Sequence, residues 1–151
     1  MKRRAWQITS VAITCALVAF IFAHSIASGE TSDETSRGFY AFVQRIFALF
    51  GADFPMSHNA FRKLAHFAEY SALGFMLIVT TRTFTENVIK EITKPLLLGL
   101  LIPVIDETIQ LTSPGRAGMI QDVWIDFSGV LTGGIVALLL FEVIKKTKKP
   151  L

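Results

Sequence analysis

The sequence predicts an all-α integral membrane protein: four transmembrane helices plus one short interfacial amphipathic helix in the first outer loop. Three observations carry this. Of 151 residues, 52% are hydrophobic and only 18% are charged, where an ordinary soluble domain carries about 25% charge. Four apolar runs are each long enough to cross a hydrocarbon core. The charged residues gather at the edges of those runs and in a few polar motifs. Residues 1–151 read as a single membrane domain, with no room for a second folded unit. The single cysteine, Cys15, excludes an internal disulfide and any Cys-based metal cluster. The net charge of +3 comes from Lys and Arg at membrane edges, so nucleic acid is not an expected partner.

Lys2-Arg3-Arg4 precedes Ala5 to Ala27, a run of 23 residues without Lys, Arg, Asp or Glu. That run is too long for the apolar core of a signal peptide and reads as the first transmembrane helix, 5–27. Residues 28–36 are polar and turn-rich. Over 38–50, Phe39, Phe42, Val43, Ile46, Leu49 and Phe50 repeat at helical spacing, with Gln44 and Arg45 on the other face. That pattern predicts a helix lying in the interface. Gly51 and Pro55 end it, and Ser57 is placed to cap the next helix. The remaining spans are predicted at 60–81, 95–112 and 122–144. Pro103 lies inside the third and removes a hydrogen bond to the Gly99 carbonyl.

With the N-terminus inside, the cytoplasmic segments hold Lys2, Arg3, Arg4, Arg82, Lys90, Lys94, Lys145, Lys146, Lys148 and Lys149, ten of the fifteen basic residues. The positive-inside rule therefore predicts that both termini are cytoplasmic. Trp6, Tyr40 and Trp124 are expected as interface anchors. His24 and His58 are not expected to be ligands.

The stretch from Asp106 to Asp122 joins two apolar segments and carries Asp106, Glu107, Gln110, the turn Pro114-Gly115, Arg116 and Asp122. Ionisable groups at membrane depth are expensive, so they pair, face the bundle interior and mark sites. The predicted topology brings three distant motifs to one layer near the outer face. These are Arg62, Lys63, His66, Glu69 and Tyr70 at the start of the second span, Asp106, Glu107 and Gln110 at the end of the third, and Asp122 and Asp126 at the start of the fourth. Glu69 and Asp106 each lie roughly 8–9 Å below the surface at helical rise. Spacings of three and four place Arg62, His66, Glu69, Tyr70 and Gly74 on one stripe, and Asp122, Asp126, Gly129 and Gly133 on another. Gly129 and Gly133 form a small-xxx-small pair that lets a neighbouring backbone approach.

Taken together, these motifs resemble the VanZ-like family of small bacterial membrane proteins, named for a protein of glycopeptide (teicoplanin) resistance. The resemblance rests on Arg62-Lys63-Leu-Ala-His66-Phe-Ala-Glu69-Tyr70-Ser-Ala-Leu73-Gly74, Asp106-Glu107-Thr-Ile-Gln110, Pro114-Gly115-Arg116, and Asp122 with Asp126 and Gly129. Ile21-Phe22-Ala23-His24-Ser25, Ser32 and Ser36 resemble the family's start more loosely. It spans roughly residues 6–145. It implies a multi-helix protein of the bacterial cytoplasmic membrane, a role at the cell envelope and a link to teicoplanin susceptibility. It supplies no established reaction, so catalytic residues stay unassigned.

Three functions fit these residues. In the first, an outward-facing pocket binds a membrane lipid headgroup or a lipid-linked cell-wall precursor, with Arg62, Lys63 and Arg116 clamping phosphate. Against this, Glu69, Asp106, Glu107, Asp122 and Asp126 outnumber the three bases. In the second, the chain is an intramembrane acid–base or metal-assisted enzyme built on His66 and buried carboxylates. No cofactor motif is present; His66 and Glu69 at i, i+3, with Asp106 or Glu107 opposite, would admit a divalent metal. In the third, the charges satisfy one another and tie helices together without a ligand.

Overall fold

The computed structural model describes residues 2–116 and 118–147. Lys148 and Lys149 of the C-terminal lysine cluster lie outside the described residues. The chain forms α1 (Lys2–Ile26), α2 (Gly29–Leu49), α3 (His58–Phe84), α4 (Thr93–Thr112) and α5 (Ile120–Thr147), with a 3₁₀ turn over Val88–Glu91 before α4. Helices α1, α3, α4 and α5 are long and apolar enough to cross a membrane. The described residues contain no strand. The fold is therefore all-helical and membrane-type, as the apolar runs predict.

The connection from α1 to α3 differs from the sequence expectation. Of residues 28–36, expected as turn, 29–36 are the first turns of α2, which begins at Gly29 and not near 38. Local and distant contacts explain this. Ser28 caps the helix by accepting from the Thr31 N–H at 3.3 Å. Arg37 Nε bonds Asp33 Oδ2 at 2.6 Å across one turn. The Gly29 N–H donates to the Pro114 carbonyl at 2.9 Å, docking the helix start onto the loop after α4. Gly51, at φ +70°, provides the left-handed turn that follows the helix. Ser57 caps α3 by accepting from the Ala60 N–H at 3.3 Å.

Tyr40, expected as an interface anchor, joins α2 to α3. It donates to the Met56 carbonyl at 2.6 Å, and its ring meets Phe61 and Phe54 edge-on at 5.5 and 5.6 Å. Phe42 and Leu49 stay exposed on α2, as does Phe50 just after it.

Glycines set the closest approach in the bundle, between α3 and α5. A Cβ at Gly133 would overlap the Ser71 carbonyl oxygen, and one at Gly74 would overlap that of Val130. At Gly129 it would stand 2.6 Å from the Phe67 carbonyl oxygen. Without side chains there, the two backbones touch, and van der Waals packing holds them where lipid gives no hydrophobic drive. Tyr70, Leu73, Leu77, Ile102 and Val130 fill the core around this seam with Ile21 of α1. At the opposite end from the carboxylates, polar side chains join α1 to α3. Gln7 Nε2 donates to the Thr83 carbonyl at 3.1 Å, and the Thr14 and Thr80 hydroxyls share a hydrogen bond of 2.9 Å. Helix α4 continues through Pro103, which is buried.

Candidate functional site

The start of α3, the end of α4 and the start of α5 meet at one end of the bundle around a polar cavity of about 370 Å³. Arg62, Lys63 and His66 come from α3, Glu107 and Gln110 from α4, Arg116 from the loop, and Asp122 and Asp126 from α5. Gly29, Asn59, Gly115, Met119 and Ile125 complete its lining. The remaining candidates lie elsewhere. Tyr70 is fully buried in the core, and its hydroxyl has no hydrogen-bond partner. Asp106 is buried among the helices, within reach of two lining side chains, His66 and Asp126. Glu69 faces α1, where its Oε1 stands 4.0 Å from His24 Nδ1, on a neighbouring groove lined by Ser32, Phe39 and Phe61.

Asp106 is held tightly. The Ser25 hydroxyl of α1 donates to Oδ1, and Gln110 Nε2 donates to Oδ2 at 3.1 Å. The same Gln110 nitrogen lies 3.2 Å from Glu107 Oε1. Glu107 Oε2 accepts the Met119 N–H at 2.9 Å, pinning the loop that leads into α5. Ser113 ties the end of α4 to α1 by donating to the Ser25 carbonyl at 2.9 Å.

The charges in the cavity are only partly matched. Lys63 Nζ stands 3.7 Å from Asp122 Oδ1. Arg62 reaches toward Asp33 at 3.9 Å. His66 Nδ1 lies 3.8 Å from Asp126 Oδ1. Neither oxygen of Asp126 has a hydrogen-bond partner, although the residue is fully buried. Arg116 forms no ion pair among the described residues, and its buried Nε also lacks a partner. Asp122 Oδ1 is likewise without a hydrogen bond. Buried polar atoms are nearly always hydrogen-bonded, so three such groups of both signs in one cavity are unusual.

One group of three side chains could hold a metal ion. His66, Asp106 and Asp126 each offer a ligand atom, all within 4.8 Å of one another. Of the expected His66 and Glu69 with Asp106 or Glu107 opposite, this set among the described residues keeps His66 and Asp106 and replaces Glu69 by Asp126: Glu69 points to α1, and Glu107 is engaged by the loop backbone.

Sequence reasoning missed Ser25, Gly29, Asn59 and the Met119 N–H as parts of the site. Ser25 had a signal, a polar residue at the end of an apolar run. A backbone N–H carries none. Asp33 was passed over too; it gathers Arg37, His58 and Arg62 near the rim.

The VanZ/LLP1 family model matches residues 10–141, which takes in α2, α3 and α4 whole and most of α1 and α5. The chain belongs to the VanZ/LLP1 family. No curated protein and no solved structure matches it. Within this VanZ/LLP1 chain, every segment quoted above as resembling the family lies inside the matched range.

Proposed function

We propose that this VanZ-like protein binds the phosphate of a lipid headgroup or of a lipid-linked envelope component in the polar cavity. One observation carries this: Arg116 lines a cavity rich in carboxylates and pairs with none of them. A guanidinium left unpaired beside acids is a positioned anion site, since its planar fork suits phosphate oxygens. The unsatisfied Arg116 Nε and Asp126 carboxylate support this reading over charge pairing without a ligand.

The protein lies in the bacterial cytoplasmic membrane with both termini in the cytoplasm. The cavity then opens at the outer leaflet, where headgroups and wall precursors reside. Helix α2 rests in the interface beside it, with Phe42, Leu49 and Phe50 toward lipid. Sequestering such a component would alter susceptibility to glycopeptides such as teicoplanin, which act at the envelope. A second reading, an intramembrane enzyme acting on an envelope lipid, is favoured by the facing of His66 and Asp126 on the cavity wall.

Lipids extracted from the protein purified in native nanodiscs test binding. Mass spectrometry is expected to find one phosphate-bearing lipid class enriched over the bulk membrane, and that enrichment lost in Arg116→Gln. A bulk-like composition in both proteins would refute it.

A further inference from the structure

The cavity wall carries three acids against three bases, and a fourth acid just behind it tips the site negative. Glu107, Asp122 and Asp126 line it with Asp106 close behind, against Arg62, Lys63 and Arg116. An anionic ligand would deepen this imbalance. Asp126 is the sharpest case: its side chain is 1% exposed and neither oxygen meets a donor. A buried carboxylate in that state calls for a proton or a cation.

From the geometry we infer that His66, Asp106 and Asp126 bind a divalent transition-metal ion of the Mn²⁺ or Zn²⁺ kind. Three features select that class. An imidazole ligand favours such ions over Mg²⁺ and Ca²⁺, which prefer oxygen alone. The three ligand atoms already lie within 4.8 Å, against about 3.4 Å for tetrahedral coordination at zinc distances. Asp106 is oriented from behind by Ser25 and Gln110, as the outer partners of metal ligands usually orient them.

His66 and Asp126 both line the cavity, so the coordination positions left by three protein ligands face it. On the phosphate reading proposed above, on which this part rests, a ligand oxygen takes one of those positions while Arg116 holds another oxygen. The cation and the guanidinium together turn an acidic cavity into an anion site. The cation site itself rests on the three side chains and does not require that reading.

The experiment titrates chelator-stripped protein in nanodiscs with MnCl₂ or ZnCl₂ alone, following bound metal by elemental analysis and melting temperature. Wild type is expected to take one ion per chain and to melt several degrees higher with metal. Asp126→Asn is expected to weaken binding at least tenfold, whereas Glu69→Gln, whose carboxylate faces α1, keeps it. If Asp126→Asn does not fold, His66→Gln, on the cavity wall, serves in its place with the same expected loss. No ion bound by wild type at millimolar metal, or binding unchanged by the His66 and Asp126 substitutions, overturns the inference. Metal binding without any enriched lipid would leave the cation site standing and remove the phosphate reading; lipid binding by a protein that takes up no metal would do the reverse.

Discussion

Asp126 and Arg116 line one cavity, each with a buried polar atom that nothing in the protein satisfies, and they do not pair with each other. Opposite charges free to meet would gain from meeting, most of all at low dielectric. Their separation is set by the backbone. Gly129 and Gly133 fix α5 against α3 and so fix where Asp126 points, while the Gly29–Pro114 contact fixes the loop that carries Arg116. The fold thus holds an acid and a base apart across a polar cavity.

The glycine seam gives the first prediction. Gly133→Ala drives a methyl into the Ser71 carbonyl oxygen, backbone that cannot move aside. Overpacking of this kind costs about 1–3 kcal/mol, so the thermal midpoint should fall by several degrees. Gly38 in α2 has nothing within 4 Å of a Cβ. There Gly38→Ala should hold or raise the midpoint, by up to about 1 kcal/mol of helix propensity. Equal effects of the two changes would contradict the packing account.

Gly29→Ala tests the docking of α2. The added carbon would overlap the Gly115 carbonyl oxygen and break the hydrogen bond from Gly29 to Pro114. Amide hydrogen exchange should accelerate at Gly29 and along residues 113–116, with little change in the interior of α3 and α5. Uniform acceleration through the bundle would mean the contact supports the whole fold.

Much of this architecture was legible in the sequence, for simple reasons. Lipid demands apolar helices, so spans announce themselves by length, and the few ionisable residues inside them stand out. Residues 29–36 hid their helix because Ser, Thr, Asp and Glu are equally at home in turns and in a first helical turn. The contact that settles the choice, Gly29 on Pro114, is far away in sequence. The metal-ready trio hid for a related reason. Spacing gives the face of one helix but not its rotation against the next, which backbone contact at the glycines decides. Glu69 follows His66 by three residues, a rotation of about 60° from alignment, enough to turn it to α1.

Glu107 anchors the loop into α5 through the Met119 N–H. Removing a charge-assisted acceptor costs about 1.5–3 kcal/mol. Glu107→Ala should therefore lower stability by that order and expose residues 113–119 to protease. A variant as stable and as resistant as wild type would show that the loop is held by other contacts.

Asp33 gives a pH dependence outside the spans. The hydrogen bond from Arg37 holds its carboxyl below the ordinary 3.8, against a smaller opposing effect of burial. A depressed folded-state value means that the stabilisation is present above the ordinary value and is lost as pH falls through the folded one. Carboxyl carbon NMR should find Asp33 titrating below 3.8 in wild type and returning toward it in Arg37→Gln. Identical titration in both proteins would remove Arg37 as the cause.

The most direct measurement compares two short-chain lipids that differ by one phosphate, dioctanoyl phosphatidic acid and dioctanoyl glycerol, by native mass spectrometry. Wild type is predicted to bind the phosphatidic acid preferentially. Arg116→Gln should lose at least about tenfold, and Arg116→Lys, which keeps the charge but not the fork, should fall between. Equal affinity of wild type for both lipids, or a preference that survives Arg116→Gln intact, would contradict the central claim.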